Sequence, residues 1–140
     1  MSEPDVLAAS QRYLDELFGP GAGERHSRFI DGIDSPPLRE ALHRCHLLEA
    51  DQALLTTAEN YLLGVAVLCT TRHFGPAGMF AKTLRQLGVP RAKVMAAVGR
   101  LAMWIGPIPA AEAAAHVQRA LDDWDQRGAA SLAAWFPEPR

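Results

Sequence analysis

The chain has few cysteines and no marked excess of charge of either sign. Its two cysteines, Cys45 and Cys69, are too few for a disulfide framework and are expected to be reduced thiols. Lys and Arg number 14 against 16 Asp and Glu, and the net charge of -2 argues against a protein that coats nucleic acid or an anionic membrane. No basic segment followed by an apolar one opens the sequence, as a secretory signal would require. The longest apolar stretch, residues 61–69, is far shorter than the roughly 20 residues of a membrane-spanning helix. We therefore expect a cytoplasmic protein that binds neither nucleic acid nor membrane.

Aliphatic β-branched residues are also scarce, and this scarcity indicates the fold class. The sequence holds 24 Ala and 17 Leu against 7 Val and 4 Ile, so good helix formers outnumber the residues that favour strands. With 140 residues, 49% of them apolar, the chain can fill one core and has little room for a second. We predict a single all-α domain over residues 1–140, with N-terminal helices over 1–55, a core over 56–127 and a C-terminal tail over 128–140.

Proline, glycine and capping residues indicate where the helices begin and end. Pro4 suits the first turn of a helix, and the Gly- and Pro-rich segment 19–23 ends that helix after Phe18. A prolyl start at Pro36 and a capping box from Thr56 to Glu59 open two more helices. The predicted helices cover residues 4–18, 36 onward, 61–72, a segment ending at 87, 90–104 and 110–127, with a short helical or irregular piece up to 33 and one more turn within 129–135.

Apolar spacing predicts which faces of two helices are buried. In the helix that begins at Pro36, the predicted inward positions are Leu38, Ala41, Leu42, Cys45 and Leu48. The predicted outward positions are mostly Arg39, Glu40, His43 and Arg44. The helix over residues 61–72 is apolar on all sides at its centre, which predicts that it is surrounded. A monomer of this size covers such a helix only partly, so we predict a homo-oligomer with that helix or its neighbours at the interface.

The order of segments between Glu59 and Trp124 resembles the carboxymuconolactone decarboxylase and AhpD-like alkylhydroperoxidase superfamily. The resembling segments are the apolar helix over 62–68, the stretch 79–89 with its Gly-Val corner, residues 90–106 and the Ala-rich run 109–114. Residues 12–19 and 38–54 also fit the N-terminal half of the decarboxylase branch. The resemblance implies an AhpD-like helical bundle that assembles as a homotrimer or homohexamer.

The departures from this family decide which of its chemistries the chain can retain. Peroxidase-type members carry Cys-x-x-Cys and a following His where this chain has His73, Pro76 and Phe80, so the paired thiols that disulfide chemistry needs are absent. Decarboxylase-type members carry a proton-transferring His where this chain has Phe80. An Arg of the family is replaced by Asn60, which argues against a polycarboxylate substrate.

Several residues remain as candidates for a site in the family's cleft. Glu59 is either a general acid or base or simply the third residue of a capping box. His73 is the best remaining proton-transfer candidate, although a histidine at a helix end is also explained by the helix dipole. The residues predicted to line an apolar substrate pocket, or alternatively to fill an ordinary core, are Met79, Phe80, Trp104, Phe74 and Asn60.

Two other patterns suggest different classes of protein. His43 and His46 lie three positions apart with Cys45 between them, but no further ligand pattern completes a metal site, and we predict no metal. Residues 84–94 read as a helix-turn-helix with basic residues on the second helix, yet that helix is rich in Met, Trp and Ala rather than in polar side chains. DNA binding is therefore a distant third interpretation.

The sequence leaves two functional hypotheses open. The first is a cofactor-free lyase, isomerase or cyclase on the decarboxylase-like scaffold that acts on a small, weakly polar metabolite. The second is a non-catalytic ligand-binding or scaffold member of the same fold. An enclosed pocket that Glu59 or His73 can reach favours the enzyme, and a filled core at Phe80 favours the second hypothesis.

Overall fold

The computed structural model describes residues 2–133 and confirms that the protein is all-α, with nine helices and no strand in this range. The helices are α1 (Glu3–Phe18), α2 (Ala22–Asp31), α3 (Pro36–Ala50), α4 (Thr57–Thr70), α5 (Phe74–Gln86), α6 (Arg91–Arg100), α7 (Ala102–Ile105), α8 (Pro107–Arg127) and α9 (Ala130–Ala133). They fall into two compact units that separate between Leu55 and Thr56. The predicted division of a single domain into N-terminal helices over 1–55 and a core over 56–127 stays a prediction. The predicted C-terminal tail beyond Ala133 lies outside the described residues.

The first unit contains α1, α2 and α3. The first of these begins as predicted, because the Asp5 carboxylate accepts a hydrogen bond from the Ser2 backbone N–H at 3.1 Å and caps the helix. Its buried residues fall at helical spacing and are Val6, Ser10, Leu14 and Leu17. One of these four is a polar serine with no exposed surface, so the core of this unit has a polar centre.

The burial predicted for α3 is wrong. Leu38 and Leu48 are 48% and 77% exposed, Cys45 is also exposed, and the one fully buried residue of the helix is His43. The prediction assumed that the most apolar stripe turns inward. Here the inner stripe carries His43 and the partly buried His46, because Ser10 on α1 supplies a polar partner for both rings.

In the second unit, α4 begins at the predicted capping box and buries one edge of its apolar surface. The Thr56 hydroxyl accepts from the Glu59 backbone N–H at 3.2 Å, and the Glu59 carboxylate accepts from the Thr56 backbone N–H at 2.8 Å. The helix buries one edge that includes Val65, whereas Leu63 and Val67 are 55% and 52% exposed. Within one chain its neighbours therefore cover only part of its apolar surface.

The remaining helices follow the predicted order with shifted ends. The predicted helix over 90–104 is divided into α6 and α7, and α8 begins at Pro107 rather than at Ala110. Gly88 forms the corner between α5 and α6 with a φ of 83°, a left-handed value that suits glycine. Across residues 2–133, none of the helices has the length and apolar character needed to cross a membrane.

At Gly23, α2 lies so close to α1 that there is no room for a side chain. A Cβ atom at this position would overlap the backbone carbonyl of Gln11 on α1. We therefore expect Gly23→Ala to destabilise the first unit by about 2 kcal/mol or more, because backbone atoms cannot move aside as a flexible side chain can. Urea unfolding followed by circular dichroism measures this loss.

Gly75→Ala is the matched control. Gly75 is also in a helix, but nothing lies within 4 Å of the Cβ position. Alanine there should leave stability unchanged or raise it by about 0.5–1 kcal/mol through helix propensity. Equal stability of the two variants would contradict the close approach of α1 and α2.

Candidate functional site

The two predicted acid/base residues make local helix-cap contacts in the second unit. Glu59 is exposed and its carboxylate also accepts from the Thr56 hydroxyl at 3.0 Å. These hydrogen bonds from Thr56 stabilise the ionised form and lower the pKa of Glu59. His73 is exposed at the N-cap of α5, where its Nδ1 lies 2.9 Å from the Thr71 hydroxyl. Their catalytic roles stay predictions.

Phe74 belongs to a group of stacked and paired side chains at the corner between α4 and α5. Its ring stacks on His116 with 4.3 Å between ring centroids and 8° between planes, and the Arg72 guanidinium lies 5.7 Å above it. Arg72 also forms an ion pair with Glu112, in which two nitrogen–oxygen distances are 2.9 Å. Its φ of 62° is a left-handed value that costs a residue with a Cβ about 1 kcal/mol.

The residues predicted to line an apolar pocket lie on three helices of the second unit, α4, α5 and α7, and the pocket stays a prediction. Phe80 is half-buried against Tyr61, with 4.6 Å between ring centroids. Its ring also lies close to Gly64, where an added Cβ atom would be only 2.5 Å from the ring. Met79 is half-buried, with its sulfur 3.5 Å from the Thr83 hydroxyl. Trp104 is 80% exposed on α7. Asn60 is half-buried on α4.

The helix-turn-helix interpretation is weakened by how one of its basic residues is used. Arg91, at the start of α6, pairs with Asp122 at 2.7 Å and with Asp125 at 2.6 Å on α8. Two carboxylates beside the proposed recognition helix would repel a phosphate backbone.

The structure instead gathers polar groups in the first unit, where sequence reasoning placed no site. Three histidines and one serine meet there: His26 from α2, His43 and His46 from α3, and Ser10 from α1. The rings of His26 and His46 meet edge to face with 4.8 Å between centroids, and those of His43 and His46 are 6.2 Å apart. We call these four residues the histidine cluster.

The hydroxyl of Ser10 joins the two histidines of α3. Its Oγ lies 2.6 Å from His46 Nδ1 and 3.2 Å from His43 Nδ1. One hydroxyl carries one proton, so it can donate to only one of these nitrogens and must accept from the other. The shorter distance suits an O–H donor and the longer one an N–H donor. We infer that Ser10 donates to His46 and that His43 donates from Nδ1, which leaves His43 Nε2 as an unprotonated acceptor.

Burial keeps the histidine cluster uncharged near neutral pH. Burial, with a smaller effect of the neighbouring imidazoles whose like charges would meet, lowers the pKa of His26 and of His46 to about 4. Burial also lowers the pKa of His43, although the Asp31 carboxylate nearby acts in the opposite direction. Neutral rings can then act as hydrogen-bond acceptors at physiological pH.

A cavity of about 230 Å³ adjoins the histidine cluster and shares His43 with it. The cavity lies within the first unit and its lining residues are Glu3, Pro4, Val6, Leu7, Asp31, Arg39, Glu40 and His43. Of the lining residues, Val6 and His43 are buried, whereas the exposed Glu3, Pro4 and Asp31 form the rim. An apolar wall and a few polar groups are the usual composition of a small-molecule site.

The sequence carried only part of the signal for this site. The spacing of His43 and His46 is visible in the sequence, but by itself it is only an incomplete metal-ligand pattern, and apolar spacing predicts an outward position for His43. In residues 2–133, no group of three or more His, Cys, Asp or Glu side chains is arranged to hold a metal ion. The missing information was the tertiary placement of Ser10 and His26, which no local pattern gives.

No protein-family model, no curated protein and no solved structure matches this chain. The resemblance to the decarboxylase superfamily therefore depends on the residues quoted for it above.

The histidine cluster predicts that acid destabilises the first unit. In the unfolded chain these imidazoles titrate at a pKa of about 6.5, so below that pH the unfolded state binds more protons than the folded one. Stability is then complete above about pH 7 and falls as the pH drops toward 4. We expect a loss of about 2–4 kcal/mol between these limits, which allows for partial solvent contact of the rings.

Residue-resolved amide hydrogen exchange at several pH values measures this loss in α1, α2 and α3 separately from the second unit. His46→Gln should reduce the pH dependence, because it removes one of the two most shifted rings. His116→Gln, in the second unit, is the matched control and should leave it unchanged. A first unit equally protected at both ends of the pH range would disprove the prediction.

Proposed function

We propose that this protein binds a small metabolite with an apolar body, and that the binding site is the cavity of the first unit. The observation that carries the proposal is that a nine-tenths buried imidazole, His43, lines a cavity whose wall includes Val6 and Leu7. A cavity of about 150 Å³ suffices for benzene, so the present 230 Å³ can hold a ring with one short substituent.

A binding role is better supported than a catalytic one. Ser10 is the one hydroxyl bonded to two imidazoles in the described chain, but it has no exposed surface and does not line the cavity. A nucleophile must reach the reacting atom. Glu59 and His73 make cap contacts, and Phe80 packs on Tyr61, an arrangement that favours the non-catalytic alternative over a lyase, isomerase or cyclase.

We also propose that the protein forms the predicted homo-oligomer, a trimer or hexamer, through an apolar surface of the second unit. Met103, Trp104 and Ile108 lie within a short stretch at the junction of α7 and α8 and are 79%, 80% and 82% exposed. Monomeric proteins rarely expose large apolar side chains together, and tryptophan is enriched at the centres of interfaces. We call these three residues the Trp104 surface.

Filling the cavity tests the ligand-binding proposal. Leu7→Trp places a larger side chain at a half-buried cavity position, and we expect it to abolish the binding of small aromatic alcohols and amines to the cavity. Such fragments bind with dissociation constants of about 1 mM, and backbone amide shifts of the cavity residues in NMR titrations report them. Leu48→Trp, on an exposed part of α3 that does not line the cavity, is the control and should bind like the parent. Fragments that shift no cavity signal in the parent protein would refute the proposal.

A charge on the Trp104 surface tests self-association. Trp104→Glu should dissociate the oligomer, because a carboxylate in an apolar interface loses its hydration without gaining a partner. Multi-angle light scattering measures the mass of each species. Leu54→Glu replaces a residue that is 95% exposed elsewhere and should leave the oligomer intact. A parent protein that is monomeric at all concentrations would rule out the proposal.

A further inference from the structure

His43 presents one unused nitrogen at the cavity. The residue is only 7% exposed, lines the cavity, and makes its hydrogen bond through Nδ1 to Ser10. In the described part of the chain, Nε2 has no hydrogen-bond partner. With the proton assigned to Nδ1, this Nε2 carries a lone pair and can only accept. A ligand that satisfies it must offer an N–H or O–H donor.

The charged groups around the cavity are predominantly acidic. Glu3 and Asp31 form no ion pair within residues 2–133, whereas the Glu40 carboxylate is balanced by Arg44 at 2.7 Å. The one guanidinium of the lining belongs to Arg39, and it already donates to the Ile33 carbonyl at 2.8 Å. With the Glu40–Arg44 pair neutral, the lining retains an excess of one negative charge.

We propose that the ligand of this cavity is a small organic ammonium ion with a short apolar or aromatic body, and this inference rests on the proposed ligand-binding function. The ammonium group donates one hydrogen bond to His43 Nε2 and lies in the field of the Asp31 and Glu3 carboxylates. The apolar body lies against Pro4, Val6 and Leu7. The buried acceptor of His43 is then used, and the charge of the ligand faces carboxylates of opposite sign.

The same lining residues predict how ligands of other charge bind to the cavity. A carboxylate would meet the carboxylates of Glu3 and Asp31 and could not donate to His43 Nε2. A neutral alcohol can donate to Nε2 but gains nothing from the acidic rim. The expected order of affinity is therefore ammonium, alcohol, carboxylate.

Three probes of nearly equal size and shape test this order: benzylammonium, benzyl alcohol and benzoate. Amide shifts in NMR titrations of the full chain at low ionic strength locate each probe and give its affinity. We expect benzylammonium to bind at the cavity about tenfold more tightly than benzyl alcohol and benzoate to bind more weakly than both. Added salt should weaken only the benzylammonium complex, because its charge interactions are screened.

Two variants test the roles of Asp31 and His43 in ligand binding. Asp31→Asn is at an exposed position and is expected to fold, and it should weaken benzylammonium about fivefold while benzyl alcohol changes little. His43→Phe should weaken both donor probes because it removes the acceptor. Glu16→Gln, an exposed carboxylate of α1 that does not line the cavity, is the matched control and should change neither.

Each result separates this inference from the proposed function. Benzyl alcohol or benzoate binding at the cavity as tightly as benzylammonium would overturn the ammonium assignment and leave the binding function standing. An Asp31→Asn protein that binds benzylammonium like the parent would also overturn it. If none of the three probes shifts the cavity signals, both the assignment and the function are wrong. If His43→Phe fails to fold, the Asp31→Asn comparison and the order of the three probes still decide.

Discussion

One shared hydroxyl group organises the first unit. Ser10 has no exposed surface, and its Oγ serves His43 and His46 at the same time. Removing such a hydroxyl would leave two buried imidazole nitrogens without a partner, which costs more than the hydrogen bonds themselves contribute. The tautomers of both rings depend on this one group, and through His43 so does the character of the cavity wall.

The polar centre of the first unit explains why leucines of α3 lie at the surface. Because α3 turns His43 and His46 inward, its leucines at positions 38 and 48 remain at the surface. The unit thereby gives up apolar burial that a leucine-lined helix would provide. What it retains is a set of uncharged imidazole nitrogens beside a cavity.

The sequence predicted the elements far better than the site. Proline and capping residues at Pro4, Pro36 and Thr56 act within one turn of the chain, so helix starts could be predicted locally. The inward face of α3 could not, because apolar spacing favours the leucine stripe and only a partner on α1 makes histidine the better choice. The cavity depends on side chains from three helices and has no local signature. The apolar composition of α4 indicates a need for cover without saying which neighbours provide it, and its cover by a second copy of the chain stays a prediction.

Arg72 shows how a backbone conformation and a surface charge become linked. The end of α4 requires a left-handed residue, and the chain uses an arginine there whose side chain pairs with Glu112 and covers Phe74. The conformational cost is fixed by the backbone and does not change with the solvent. The ion pair that offsets it is exposed and is screened by salt. Added salt consequently weakens the contact that offsets the cost of the left-handed residue at the corner between α4 and α5.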